Sequence, residues 1–310
     1  MDGKVKNFIM SQDIKLTEKF KDNLRVNVNL SNFSWFNLGG NAEYFFKAED
    51  KQQLLELLKE TKKKNLETSI LGAGSNTLFR DNGVKGVVIK LGKNFSYTKI
   101  LSPNILAVGA ATLDRTVANF AKKNNLGNLE FLSCIPGSIG GAIVMNSGCY
   151  GQDISKILIS IKVIDKKNLS EFEILKKDIK FFYRGTNLSE DFLIIAAKLQ
   201  CSVSETELIE KKQLNFLERK KKAQPNQIKT CGSTFKNINE NKKAWKLIKE
   251  SGCSTLSVGG ASISPKHCNF FVNNGNAKAS DIENLIKKVK KKVYEKTGVS
   301  LELEIKIVGE

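Results

Sequence analysis

Between Gly127 and Gly151 the sequence reads Gly-Asn-Leu-Glu-Phe-Leu-Ser-Cys-Ile-Pro-Gly-Ser-Ile-Gly-Gly-Ala-Ile-Val-Met-Asn-Ser-Gly-Cys-Tyr-Gly, six glycines around an apolar run. Each glycine costs conformational entropy and adds no packing, so an ordinary helix or strand would not carry this many. Such a composition suits a backbone that comes close to a ligand, with free amides aimed at an anion. A second cluster, Leu71-Gly-Ala-Gly-Ser-Asn-Thr77, stands upstream. Two such segments roughly 60 residues apart suggest one extended, phosphate-bearing ligand held by both. The upstream cluster satisfies neither the Rossmann G-x-G-x-x-G nor a G-K-[ST] P-loop, so this cradle is not of the common dinucleotide or nucleoside-triphosphate kinds.

Three further places carry side chains suited to chemistry. Arg184 follows Phe181-Phe182-Tyr183, and its planar fork would pair bidentately with a carboxylate. Ser233 sits in Cys231-Gly-Ser-Thr-Phe-Lys-Asn237, locally a serine in a glycine turn. In Leu301-Glu-Leu-Glu-Ile-Lys-Ile307 the side chains alternate, with Leu301, Leu303, Ile305 and Ile307 on one face and Glu302, Glu304 and Lys306 on the other. That polar face is either charge in water or the wall of a cleft.

The elements that must position these residues are of both kinds. Residues 49–64 read as a helix with a Leu54, Leu55, Leu57, Leu58 stripe, and residues 68–74 as a strand entering the first glycine turn. Apolar strands follow at 84–91 and 105–111. Thr112 is placed to cap a helix bearing Leu113, Val117, Phe120 and Ala121, closed by Gly127. Residues 157–164 and 192–200 are further β-like runs. Polar residues 202–207 lead into a basic helix ending at Pro225, and the main domain boundary is placed here, giving domains 1–204 (core about 35–202) and 205–310. A short helix at 244–251 and a glycine turn at 258–260 come next. The helix over 280–296 has a Ser280/Glu283 capping box and a stripe of Ile282, Leu285, Ile286, Val289 and Val293. The class is α+β.

Bulk properties narrow the function. A chain of 310 residues buries a substantial core in two or three domains, and its composition is that of a soluble globular protein. Residues 1–22 lack an apolar export segment and no window suits a membrane span, so a cytoplasmic protein with no membrane partner is expected. The six cysteines (134, 149, 201, 231, 253 and 268) include no C-x-x-C pair, and His267 is the single histidine, so no metal site and reduced thiols are expected. The net charge of +18 suggests nucleic acid, yet only five of fifty basic residues are arginine, the residue that reads bases. A lysine-rich surface that attracts polyanionic small molecules, with no nucleic-acid partner, is the simpler reading.

Taken together, Leu71–Asn76, Glu130–Ala142, Met145–Gly151, Tyr183-Arg184, Gly232–Asn237, Val258–Asn273 and Leu301–Glu304 resemble, in order and spacing, the UDP-N-acetylenolpyruvoylglucosamine reductase (UDP-N-acetylmuramate dehydrogenase) family. The resemblance covers about residues 35–309 and implies an FAD-binding domain of the vanillyl-alcohol-oxidase (PCMH) type, in two α/β subdomains, plus a C-terminal α+β substrate domain. It implies that Gly72, Ala73, Gly74, Ser75, Asn76, Pro136, Gly137, Ser138, Gly140, Gly141, Asn146 and Gly148 hold FAD. Relatives of this fold that bind FAD covalently use a histidine or cysteine, whereas positions 75–77 are Ser, Asn and Thr, so non-covalent FAD is expected. By the same resemblance Arg184, Ser233 and Glu304 are catalytic, and Tyr183, Lys236, Asn237, Lys266, His267 and Lys306 bind substrate. Cys134 and Cys149 read as compact apolar filler.

The implied reaction has two halves at one flavin. NADPH reduces FAD, and UDP-N-acetylglucosamine enolpyruvate then takes hydride at C3 and a proton at C2. Arg184 and Glu304 would stabilise the enolate-like charge, and Ser233 would be the general acid. Gly185-Thr186 and Ile238 depart slightly from the family pattern. The compact course from Ser233 to His267 resembles the type lacking a tyrosine-bearing loop, and a monomer is expected. The rivals are a flavin oxidoreductase of the same fold acting on an alcohol or sugar acid, a basic nucleic-acid binder without flavin, and a non-catalytic scaffold, against which the intact Arg184, Ser233 and Glu304 speak.

Overall fold

A computed structural model describes residues 16–239 and 241–310, so residues 1–15, part of the segment read for export signals and the start of the first domain, lie outside it. The first subdomain holds β1 (Leu24–Asn29), β2 (Asn41–Ala48), helix α1 (Lys51–Lys63), β3 (Thr68–Leu71), β4 (Thr77–Phe79) and β5 (Val84–Leu91). Its sheet runs β1-β2-β5-β3, with β5 parallel to both β2 and β3. The α1 helix begins because the Asp50 side chain accepts from Gln53 N, and it buries Leu54, Leu57 and Leu58.

The second subdomain is an antiparallel sheet of β6 (Thr98–Ser102), β7 (Ile105–Gly109), β8 (Leu158–Asp165), β9 (Glu171–Leu175) and β10 (Phe192–Gln200), in the order β9-β8-β10-β7-β6. Helices α2 (Asp114–Lys123) and α3 (Ile139–Val144) pack on it, so Leu106, Val108, Val117, Ile139, Ile143 and Ile161 share one core. Thr112 does not cap α2: its hydroxyl donates to Tyr97 O, and Leu113 occupies the cap position. The helix ends at Lys123 with Asn125 in the left-handed region, and Gly127 falls beyond it in a two-residue strand beside Ser202–Val203. Asparagine tolerates that conformation nearly as glycine does, which the glycine-based reading overlooked.

Helix α4 (Thr206–Ala223) lies back on this subdomain, where Gln213 Nε2 donates to Ala118 O and Lys220 Nζ to Cys134 O. The C-terminal unit then holds α5 (Ala244–Glu250), β11 (Ser257–Val258), β12 (Ala261–Ile263), β13 (Phe271–Asn273), α6 (Ala279–Thr297) and β14 (Lys306–Val308). The α6 stripe is buried as expected, but its N-terminus is capped by Asp81, which accepts from Ala279 N and Ser280 N at 2.7 and 2.9 Å. Glu283 is therefore free to pair with Arg80 at 2.9 Å, and the Ser280/Glu283 box does not form. The expected strand 301–307 is divided. Leu303 bridges Phe235, whereas β14 crosses to run parallel to β4 of the first subdomain. Phe36, Leu38 and Leu78 accordingly share a core with Leu285, Val289 and Leu301.

Candidate active site

The turn between β3 and β4 carries the first glycine cluster. Among the described residues, the backbone amides of Ala73, Gly74, Ser75 and Asn76 are given to no protein acceptor. Four consecutive unclaimed N–H groups form a concavity for an anion. Gly74 has φ +70°, and a Cβ there would stand 1.8 Å from Phe33 O, so only glycine lets the turn close on that segment. A Cβ on Gly72 would stand 2.9 Å from Ser138 Oγ, so the two glycine clusters meet in space, as one ligand held by both requires. Lys90, largely buried, donates its Nζ to Gly72 O at 2.7 Å, and burial holds its pKa below the usual lysine value.

The second cluster follows its own packing logic. Pro136 is exposed and Ser138 buried at the cap position of α3. Gly140 N donates to Ala110 O, and a Cβ on Gly140 would press on Ala110 Cβ at 3.2 Å. Gly141 is exposed on the same turn. Gly137 lies over Asp114, whose two carboxylate oxygens are buried without a hydrogen-bond partner and whose pKa burial raises well above the ordinary value. Asn146 is engaged inside the protein: its Nδ2 donates to Phe182 O and its Oδ1 accepts from Ser155 N. It thus positions the hairpin that bears Arg184.

That hairpin, Phe181–Phe182 against Gly185–Thr186, places Tyr183 and Arg184 at its tip, with Arg184 at φ +58°. A non-glycine residue there is held by its partners. Arg184 Nε donates to Glu304 Oε1 at 2.9 Å and Nη2 to Gly148 O at 2.7 Å, while its guanidinium lies 4.9 Å from the Tyr183 ring centre. Of five N–H donors, three remain for a ligand. Glu304 is largely buried, and burial raises its pKa although Arg184 pulls it down. The backbone holds it from two sides: Glu304 N donates to Thr234 O at 2.8 Å, and Asn76 Nδ2 donates to Glu304 O at 3.0 Å.

Ser233 pairs with Phe270 through the backbone, one residue before the carbonyl that receives Glu304 N. Among the described residues its hydroxyl has no protein partner. Asn269, which sequence reasoning did not single out, sets this register by accepting from Phe235 N and donating to Phe235 O. Asn237 bridges outward, donating to Tyr183 Oη at 3.0 Å and accepting from Ala244 N at the start of α5. Lys236 stands 3.7 Å from exposed Glu302, and Lys306 is exposed with its backbone N on Asn76 O. His267 packs against Phe270 and Trp245, with burial lowering its pKa, so it is neutral at pH 7. Lys266 is tied to Lys221 O at the end of α4. The fold therefore joins Arg184, Glu304, Ser233, Tyr183 and Asn237 beside Asn76, and leaves Lys266 at the rim.

Such a corner offers a guanidinium fork, a free hydroxyl and a neighbouring anion cradle. A flavin nucleotide fits it: the unclaimed amides of 73–76 suit a pyrophosphate, and close packing at Gly72 brings the Ser138 turn against them. Comparison with known proteins agrees. Residues 42–168 match the model of an FAD binding domain, and residues 224–308 the C-terminal domain of UDP-N-acetylenolpyruvoylglucosamine reductase. The chain is 44% identical over 296 residues to the UDP-N-acetylenolpyruvoylglucosamine reductase of Pelagibacter ubique (strain HTCC1062), covering 95% of this chain and 97% of that protein. It is 41% identical over 290 residues to the enzyme of Rickettsia prowazekii (strain Madrid E), covering 93% and 97%. The crystal structure of the Thermus caldophilus reductase superimposes with a TM-score of 0.80 at 29% identity, covering 92% of this chain and 99% of that one. With its PCMH-type FAD-binding domain followed by that C-terminal domain, the chain belongs to the UDP-N-acetylenolpyruvoylglucosamine reductase family.

Proposed function

We propose that this protein reduces UDP-N-acetylglucosamine enolpyruvate to UDP-N-acetylmuramate for peptidoglycan precursor synthesis, with non-covalent FAD as cofactor and NADPH as hydride donor. FAD, when bound, accepts and delivers the hydride. The observation that carries this reading is the Arg184–Glu304 pair, set by Asn76 against the amide cradle and by Thr234 beside Ser233. The amides of 73–76 would hold the pyrophosphate, with the 136–141 turn alongside. Three unclaimed guanidinium donors of Arg184 bind the substrate carboxylate and stabilise the charge that grows there. Glu304 and the Gly148 carbonyl keep that fork aimed. Ser233 Oγ donates the proton to C2. Tyr183 and Asn237 close the site through their shared hydrogen bond, and Lys236, His267 and Lys306 face the sugar nucleotide, with Lys266 at its edge.

His267 packs edge-on against Phe270 and beside Trp245 in the C-terminal unit, which supports a non-covalent cofactor. We place the start of the substrate domain near residue 224 rather than 205, because α4 packs on α2 and the 130–134 segment. Among the described residues, the stretch from Ser233 to His267 holds only the seven-residue α5 and a short hairpin, in keeping with a site that lacks a tyrosine-bearing loop. No described helix is long and apolar enough to cross a membrane, and we read the protein as a cytoplasmic monomer. The test is the visible spectrum of the purified protein, before and after boiling, followed by bleaching with NADPH and reoxidation by the enolpyruvyl sugar nucleotide. Flavin bands that pass to the supernatant and return after substrate is added are expected. A colourless protein that does not take up FAD would overturn the proposal, and reoxidation by a sugar acid instead would favour another flavin oxidoreductase of this fold.

A further inference from the structure

Cys134 and Cys149 flank the second glycine cluster, one before Ile135 and one after Gly148, and their sulfurs stand 2.7 Å apart. Among the described residues no other two cysteine sulfurs are in contact. A covalent S–S bond is about 2.04 Å, so closing this pair needs a shift of roughly 0.7 Å. Both sulfurs lean on Phe131 O, at 3.1 and 3.7 Å, and Lys220 fixes the Cys134 carbonyl at 2.7 Å. The backbone beyond Cys149 is constrained too, since a Cβ on Gly148 would stand 2.2 Å from Gln152 O. Cys149 is half-exposed, which gives a small oxidant a way in. The hydrogen bond from the Cys149 thiol, helped by the Lys220 ammonium, holds the Cys134 thiol below its ordinary pKa, and the same shared proton raises that of Cys149.

We propose that Cys134 and Cys149 form a peroxide-sensitive dithiol whose disulfide braces the flavin-binding loop between them; the bracing rests on the flavin reading above. The Cys134 thiolate attacks one oxygen of hydrogen peroxide, the O–O bond breaks, and sulfenic acid and hydroxide result. The Cys149 sulfur then attacks the sulfenyl sulfur, loses its proton and expels hydroxide, which leaves as water. In sum two thiols and one peroxide give one disulfide and two waters. Each sulfur gives up one electron and each oxygen gains one. The closed ring encloses Pro136, Gly137, Ser138, Gly140, Gly141, Asn146 and Gly148, the residues assigned to the cofactor on that side. Cross-linking their two ends restricts the openings through which a tightly held cofactor escapes.

The flavin-loaded protein is treated with hydrogen peroxide, alkylated and mapped by peptide mass spectrometry, and flavin release is followed by fluorescence. The expected result is a dithiothreitol-reversible cross-link between the Cys134 and Cys149 peptides, with the other four cysteines still alkylated. Release of flavin should slow about 10-fold in the wild type. It should be unchanged by peroxide in Cys134→Ala and in Cys149→Ala. Separate sulfinic acids at the two positions, full alkylation of both, or a cross-link that leaves flavin release unaltered would overturn the proposal. A preparation without flavin before any oxidant is added refutes the earlier reading instead, and so separates the two failures.

Discussion

The cradle at residues 72–76 and the corner at Arg184, Ser233 and Glu304 touch through one hydrogen bond, Asn76 Nδ2 on Glu304 O, yet they are made of different materials. The cradle is backbone: consecutive residues, unclaimed amides, and a glycine, Gly74, that the Phe33 carbonyl obliges to stay glycine. The corner is side chains on separate segments, with Arg184 and Glu304 120 positions apart and joined by a single ion pair. A backbone site fails by volume and φ, and takes the fold with it. A side-chain site fails by chemistry, and leaves the fold standing.

The sharpest break of that contrast is Gly74→Ala. Its Cβ meets an immovable carbonyl at a φ of +70°, so a loss of at least ~3 kcal/mol and of bound flavin is expected, read by unfolding midpoint and visible spectrum. Gly232→Ala, with a similar φ but open space, should cost only about 1–2 kcal/mol. Next, Ser233→Ala should keep the flavin and its reduction by NADPH while reoxidation by substrate slows by roughly 10²–10⁴, and normal turnover would remove Ser233 from the mechanism. Arg184→Lys should reduce that same step by about 10²: one ammonium cannot serve Glu304, Gly148 and a carboxylate in the fork geometry.

A further outcome concerns pH. Burial raises the pKa of Asp114 and of Glu304 above their unfolded values, so the native state binds more protons. Their stabilising contribution is complete below about pH 4 and is lost as pH rises toward the native pKa values. Asp114→Asn should therefore flatten the fall of the unfolding midpoint as pH rises above about 4; an unchanged slope would show that Asp114 is not its source. The smallest effect is expected at Glu302→Gln, where an exposed 3.7 Å pair with Lys236 is worth less than about 0.5 kcal/mol in denaturant titration.

The same difference in material explains what could be read in the sequence. Glycine clusters announce themselves locally, so the turn that carries the unclaimed amides of 73–76 could be picked out from its own residues. Nothing local separates Arg184, Ser233 or Glu304 from ordinary surface and turn residues, and only the spacing of a whole family singles them out. Helix interiors were read well because periodicity is local, as in the α6 stripe. Caps were not: the carboxylate that takes the Ala279 and Ser280 amides comes from Asp81, 199 positions before Ser280, and no window contains both. The alternation in 301–307 was real, but it could not tell that Leu303 and Lys306 would pair with different partners. Cys134 and Cys149, fifteen positions apart across a loop, carry no motif, although both border the glycine run.

The strand β14 runs parallel to β4, and Asn76 already holds Glu304 and Lys306 on the way to it. Residues 228 positions apart therefore finish the same corner. At roughly 5–20 residues per second of translation, the glycine turn at Asn76 waits on the order of 10–50 s for this neighbour to be made. The cradle can be assembled on a nascent chain, but the Arg184 fork is aimed only when synthesis has passed Glu304. With the roles proposed above for Arg184 and Glu304, catalytic competence is the last thing this chain acquires, and an unfinished copy would not consume its substrate.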